Sequence, residues 1–157
     1  MERRSAVNSV GQLIEAARAV MQHAHAPYSR FAVGAAVRLT DGRIVTGCNF
    51  ENASYGLSLC AETVALAAAN TRGRLADVEA IAVVGQPMDG PDGDSVIVTP
   101  CGRCRQILTE AEQMAGRPIA IYCAAADGDE LVEHSLAELL PFAFGPRTLG
   151  ITPDRKS

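Results

Sequence analysis

Tryptophan is absent from this sequence, and the other aromatics are scarce: four phenylalanines and three tyrosines. Six of these seven rings lie at 28–55 or 142–144, and only Tyr122 stands apart. Rings gathered in this way could hold a flat ligand by stacking, although on spacing alone burial in the core is the better account of them. Any apolar run long enough to cross a bilayer is missing too, which excludes a membrane-spanning helix. The opening stretch MERRSAVNSVGQL has two arginines but no apolar segment behind them, so it does not read as a secretory signal, and a cytoplasmic address is expected. Basic residues number 14 against 18 acidic ones, for a formal net charge of -4, and they form no stripe. Neither nucleic acid nor an anionic membrane is therefore an expected partner; a small neutral substrate suits this surface better.

A second CxxC is also lacking. The five cysteines are an odd count, which suits reduced thiols used for packing or metal better than a disulfide framework. Cys101 and Cys104 form the single CxxC, and Cys48, Cys60 and Cys123 are isolated. A four-cysteine structural zinc knuckle is thereby excluded. The pair alone suits either one metal or a redox couple. Against the redox reading, a thioredoxin-like motif normally follows a strand early in its fold, whereas this one lies in the second half of a chain without tryptophan. If Cys60 joins the pair, the count becomes three protein ligands and an open position, the arrangement of catalytic zinc.

What is present describes one ordinary globular domain. The chain has 157 residues, 48% of them apolar and 20% charged, enough to bury a core without cross-links. The whole of 1–157 is expected to form that domain, with flexible tails at about 1–8 and 153–157. From Ser9 to His25 apolar residues fall at helical spacing. FAVGAAVRLT and RIVTGCNF flank Asp41-Gly42, a hairpin signal. An alanine-rich helix begins near Cys60 and stops towards Gly73. VEAIAVVG reads as a buried strand followed by an exposed loop, QPMDGPDGDS. VIVT leads into Pro100, and a helix is expected from Cys101 to about Met114. PIAIYCAA and ELVEH read as two further strands, and Ser135 with Glu138 has capping-box spacing ahead of a short helix. Five strands among three main helices predict an α/β fold built on one mixed sheet with helices on its faces.

Cys60 and Cys101 both fall at predicted helix N-termini, where free N–H groups and the macrodipole stabilise a thiolate. Three thiolates around zinc leave a net negative site that activates water less readily, so a nearby proton acceptor becomes a requirement. Glu62, two residues from Cys60, is the candidate; taken singly it would be an ordinary first-turn helix acid. Cys48 and Cys123 read most simply as small buried hydrophobes. His23, His25 and His134 have no partner spacing and are not expected to be ligands.

Cys60-Ala61-Glu62 together with Pro100-Cys101-Gly102-Arg103-Cys104 resembles the zinc signature of the cytidine deaminase superfamily. PYSRFAVGAA (27–36), GCNFENASYGLSLCAE (47–62), PCGRCRQ (100–106) and ELLPFAFGP (138–146) are similar to the small homotetrameric members, in the same order. The resemblance implies a three-layer α/β/α fold, one zinc per subunit and hydrolytic deamination of cytidine and deoxycytidine in pyrimidine salvage. It implies Cys60, Cys101 and Cys104 as zinc ligands and Glu62 as the proton shuttle. Asn49 and Glu51 stand where such proteins bind ribose, Phe31 where an aromatic stacks on the base, and Ala61 within the substrate-binding signature. Phe144 and the Ala53-Ser54-Tyr55 segment stand where contacts are lent to a neighbouring subunit's site in a homotetramer, and the Thr99 carbonyl where the leaving ammonia is met. Many members carry an arginine directly after Cys-Ala-Glu, to offset the charge on the sulfurs, whereas this chain has Thr63. Arg103 is the expected substitute, by donating to the sulfurs. Blasticidin S deaminases also lack that arginine and share PCGRCRQ, which leaves a related cytosine nucleoside as an alternative substrate. NFENASY, the ribose segment, favours cytidine and deoxycytidine. A CxxC oxidoreductase and a non-catalytic zinc module, in which Glu62 would be dispensable, are the remaining alternatives.

Overall fold

The computed structural model describes residues 2–89 and 96–152, with side chains from residue 10 onward. The tail expected at 153–157 lies outside the described residues. Helix α1 spans Glu2–Met21, so its backbone begins within the segment expected to form a tail. No proline interrupts this stretch, and Asn8 and Ser9 cost a helix only a few tenths of a kcal/mol each. Its end comes earlier than the periodicity suggested. His23 and Ala24 turn their N–H groups back onto the Val20 and Met21 carbonyls, and His25 donates to the Asn49 carbonyl (3.0 Å), so tertiary pairing claims the last residues of the apolar pattern.

The strands are β1 (Phe31–Leu39), β2 (Ile44–Cys48), β3 (Val78–Pro87), β4 (Ala120–Ala124) and β5 (Leu131–His134), and the later helices are α2 (Ala61–Thr71), α3 (Gly102–Ala115) and α4 (Leu136–Leu139). They build one mixed sheet in the order β2-β1-β3-β4-β5. The β3–β4 pair is parallel, joined through α3, and the other pairs are antiparallel. The capping box expected at Ser135 and Glu138 is formed in full.

Two buried clusters occupy the two faces of this sheet, and strand alternation explains the division. Ala32 and Ala36 of β1, with Ala80 and Ala82 of β3, pack beneath Leu13, Ile14, Ala17 and Met21 of α1. Ala35 and Val37, with Ile81 and Val83, face Ala65 and Leu66 of α2 and Leu108 of α3. The chain is therefore a three-layer α/β/α sandwich, as expected. Two glycines set how closely the layers approach. A Cβ at Gly34 would lie 2.0 Å from the Ala17 carbonyl oxygen of α1. A Cβ at Gly47 in β2 would lie 2.4 Å from the Ala65 nitrogen and 2.8 Å from the Ala61 oxygen of α2. Gly47 thus seats the helix on whose first turn Cys60 and Glu62 are found.

Candidate active site

Cys60 is the N-cap residue of α2 and Cys101 that of α3, and neither side chain is engaged in capping. Neither sulfur is spent on its helix end, and both lie where a thiolate is favoured. Cys104, one turn into α3, is fully buried. The sulfurs of Cys60, Cys101 and Cys104 lie within 4.8 Å of one another, with Cys60 and Cys101 3.8 Å apart. Zinc held tetrahedrally by bonds of about 2.3 Å separates its sulfurs by about 3.8 Å, so both the donor chemistry and the spacing fit zinc. Cys48 and Cys123 take no part in this cluster. Burial pushes both of their thiols up, Cys123 to about 11.

The cluster is electrostatically uneven. Hydrogen bonding with Cys104 pulls the Cys60 thiol down to about 6, aided by Cys101 and by the charge of Arg103. The same contact, together with burial, pushes the Cys104 thiol up. The proton of this hydrogen-bonded pair is therefore held on the Cys104 side, and a metal bound by both sulfurs displaces it. Arg103, expected to donate to the sulfurs, donates instead to the Ser58 carbonyl (3.2 Å) and reaches Cys60 through space. The atom found beside Cys104 Sγ is the Thr63 hydroxyl oxygen, at 3.8 Å.

Cys60, Cys101 and Glu62 line a cavity of ≈ 230 Å³ whose walls include Val33, Val83 and Val98. Glu62 is 5% exposed, and burial pushes its carboxyl above the ordinary carboxylate range against the help of its own backbone N–H. Asn49, Glu51, Ala61 and Thr99 line the same space, so the cavity brings together two of the three expected metal ligands with the residues expected for proton transfer and for ribose. Asn49 does more than was expected of it. Its Oδ1 accepts from the Val33 N–H (2.8 Å) and its Nδ2 donates to the Phe31 carbonyl (2.9 Å), so its side chain prolongs the β1–β2 pairing. Glu51 Oε2 accepts from the N–H groups of Tyr28 (3.0 Å) and Ser29 (3.2 Å). Those bonds, with the Ser29 hydroxyl first among the causes, hold the Glu51 carboxyl below its usual range.

Three expected residues lie elsewhere. Phe31 is half-buried at the start of β1, its ring against Gly85. Tyr55 is 72% exposed and, with Tyr28, lines a second hollow that shares Glu51 and Ser58 with the first. Phe144 is 58% exposed; its carbonyl accepts from Gln106 Nε2 (2.7 Å). Core packing does not account for the rings, since Tyr28, Phe50, Tyr55, Phe142 and Phe144 are all exposed. Sequence reasoning missed Ser58, which lines both hollows, and the valine wall. Val33 and Val83 are visible in the sequence only as strand residues, and nothing marks which strand positions border a cavity.

A sequence profile described as the cytidine and deoxycytidylate deaminase zinc-binding region matches residues 8–116. The cytidine deaminase of Mycobacterium tuberculosis is 43% identical over 125 residues, 78% of this chain and 79% of that protein. That of Halalkalibacterium halodurans is 43% identical over 132 residues, 84% and 91% of the two chains. Among solved structures, the cytidine deaminase from Burkholderia pseudomallei superimposes with a TM-score of 0.72 at 44% identity, covering 85% of this chain and 98% of that one. The profile spans most of the chain and includes all three clustered thiols and Glu62, so the chain belongs to the cytidine and deoxycytidylate deaminase family.

Proposed function

We propose that this chain is a zinc-dependent deaminase that hydrolyses cytidine and deoxycytidine to uridine and deoxyuridine, releasing ammonia, in pyrimidine salvage. The observation that carries the reading is a single cavity lined at once by two cluster thiols, the buried Glu62 carboxyl, and the polar pair Asn49 and Glu51. Zinc bound by Cys60, Cys101 and Cys104 supplies Lewis-acid activation of water. Glu62 takes one proton of the attacking water and places it on N3 of the base, then takes the second from the new C4 hydroxyl and places it on the amino group, which leaves as ammonia, so that a C4=O bond replaces the C4–N bond. A carboxyl raised by burial suits an acid that must both accept and return a proton. The Thr99 carbonyl meets the departing ammonia.

Recognition of the sugar falls to Asn49 and Glu51. After its two main-chain bonds Asn49 keeps one N–H and one lone pair, and ionised Glu51 keeps Oε1 to accept from a hydroxyl. Ala61, in the first turn of α2, has an N–H with no intrahelical partner and is available to the base. Exposure of Tyr55 and Phe144 supports their assignment to a neighbouring subunit's cavity in a homotetramer. Dilution to monomers is then expected to abolish turnover while zinc stays bound. The compartment we assign is the cytoplasm, where free thiols such as those of the cluster stay reduced.

The direct test is ammonia release from cytidine, deoxycytidine, cytosine and blasticidin S, with and without a zinc chelator. Both nucleosides are expected to be turned over, with activity lost to the chelator and restored by zinc. No turnover of either nucleoside by zinc-replete protein would overturn the reading. The two tight glycines separate stability from chemistry. Gly34→Ala and Gly47→Ala are each expected to lower stability by about 1–3 kcal/mol through overpacking. Relief at Gly47 must displace α2, and a shift of about 1 Å there costs up to a hundredfold in kcat. Relief at Gly34 displaces α1, which carries no site residue, so turnover per folded molecule should persist. Denaturant titration alongside kcat distinguishes the two.

A further inference from the structure

Residues 96–101 belong to no helix or strand, so the sheet does not hold the segment that delivers Thr99 and Cys101 to the cavity. One residue does. Arg105, in the first turn of α3, donates from Nε to the Pro100 carbonyl (2.7 Å), from Nη1 to the Leu139 carbonyl at the end of α4 (2.9 Å), and from Nη2 to Thr99 Oγ1 (3.4 Å). Its backbone N–H also closes the first turn onto the Cys101 carbonyl (2.9 Å). Two consecutive residues, Thr99 and Pro100, and the end of a separate helix therefore converge on one side chain, while the backbone of the same residue meets Cys101. Only a planar guanidinium, with donors fanned in fixed directions, can serve such a set; a lysine ammonium is a single point on a flexible stem.

We propose that Arg105 is a positioning residue for the metal site: it orients the peptide planes at Pro100 and Cys101 so that the Cys101 sulfur converges with those of Cys60 and Cys104, and makes that convergence depend on the seating of α4. This rests on the reading of the three cysteines as zinc ligands. Gln106, its neighbour in the same helical turn, provides the control. Its Nε2 donates to the Phe144 carbonyl and so ties down the segment beyond α4 without bonding to residues 99–101.

Zinc-loaded wild type, Arg105→Ala, Arg105→Lys and Gln106→Ala are mixed with excess chromogenic chelator, and zinc release is followed in time, with kcat and KM for cytidine measured in parallel. Arg105→Ala is expected to release zinc about tenfold faster or more, the scale set by loss of a residue that supports a ligand, with kcat falling further than KM rises. Arg105→Lys should fall between it and wild type, and Gln106→Ala should release zinc at the wild-type rate. Wild-type release from Arg105→Ala overturns the assignment, as does equally fast release from Gln106→Ala, which would point to general loosening of α3. If Arg105→Ala does not fold, Arg105→Lys decides, and wild-type release and kcat from it overturn the proposal. A wild-type chain that holds no zinc overturns the ligand reading and this proposal together, whereas zinc-replete wild type with unchanged release in the variants overturns only the role of Arg105.

Discussion

Glu62→Gln is expected to fold, to retain its zinc, and to turn over cytidine about a thousandfold more slowly, within the range that removal of a general acid–base costs. The amide copies the shape of the carboxyl, so the cavity walls stay as they are, and no charge is left to desolvate at a position 5% exposed. A lower melting temperature is therefore not expected. What the amide cannot do is accept a proton and hand it on, as the carboxyl does twice in each turnover. Glu62→Asp separates position from chemistry: it keeps the carboxyl but withdraws it by one methylene, and a displacement of about 1 Å costs on the order of a hundredfold. Zinc content, melting temperature and kcat measured on the same preparations check all three statements. Wild-type turnover by Glu62→Gln would mean that another group moves the protons and would remove Glu62 from the mechanism.

How much of this site could be read before the structure varies from residue to residue, for identifiable reasons. The convergence of Cys60 and Cys101 was legible because a helix start is a local property. Each cysteine stands immediately ahead of its helix, as the N-cap, and helix ends of this kind gather negative charge whatever the surrounding fold. Cys104 follows from α-helical spacing once Cys101 is placed. Asn49 was only half legible: its place in the cavity follows from alternation along an extended segment, but its two bonds to the β1 main chain depend on a strand pairing that its own sequence neighbours do not encode. Arg103 was half legible for a related reason: its charge acts on Cys60 as expected, but its bond goes elsewhere. Position within the CxxC says which turn it occupies, not where a long side chain lies, and it reaches across to the Ser58 carbonyl. The exposed rings show the limit most directly. Burial is the general expectation for Phe and Tyr, and five of these are exposed on the isolated chain, a pattern that a sequence read for a single core cannot produce.

Cys104→Ser is expected to leave the chain unable to hold zinc and to reduce turnover by more than the roughly 10–100-fold that follows loss of a residue merely supporting a ligand. The comparison that makes this informative is Cys123→Ala, because burial does not tell the two cysteines apart: both are 0% exposed. Their neighbours do. Cys123, on β4, belongs to the apolar cluster with Ile121 and Leu108, and burial pushes its thiol up to about 11, so it stays protonated at neutral pH and acts as a small packing residue. Cys104 meets the Thr63 hydroxyl at 3.8 Å and has two further sulfurs within 4.8 Å. A hydroxyl oxygen is a harder donor than a thiolate and stays protonated at neutral pH, so serine cannot replace that corner of a site otherwise built from soft sulfur. Cys123→Ala, by contrast, should cost about 1 kcal/mol of stability for the small group removed, with zinc and kcat unchanged. Zinc analysis of the two purified variants, with denaturant midpoints beside it, separates the roles; loss of zinc from Cys123→Ala, or its retention by Cys104→Ser, would require the ligand set to be redrawn.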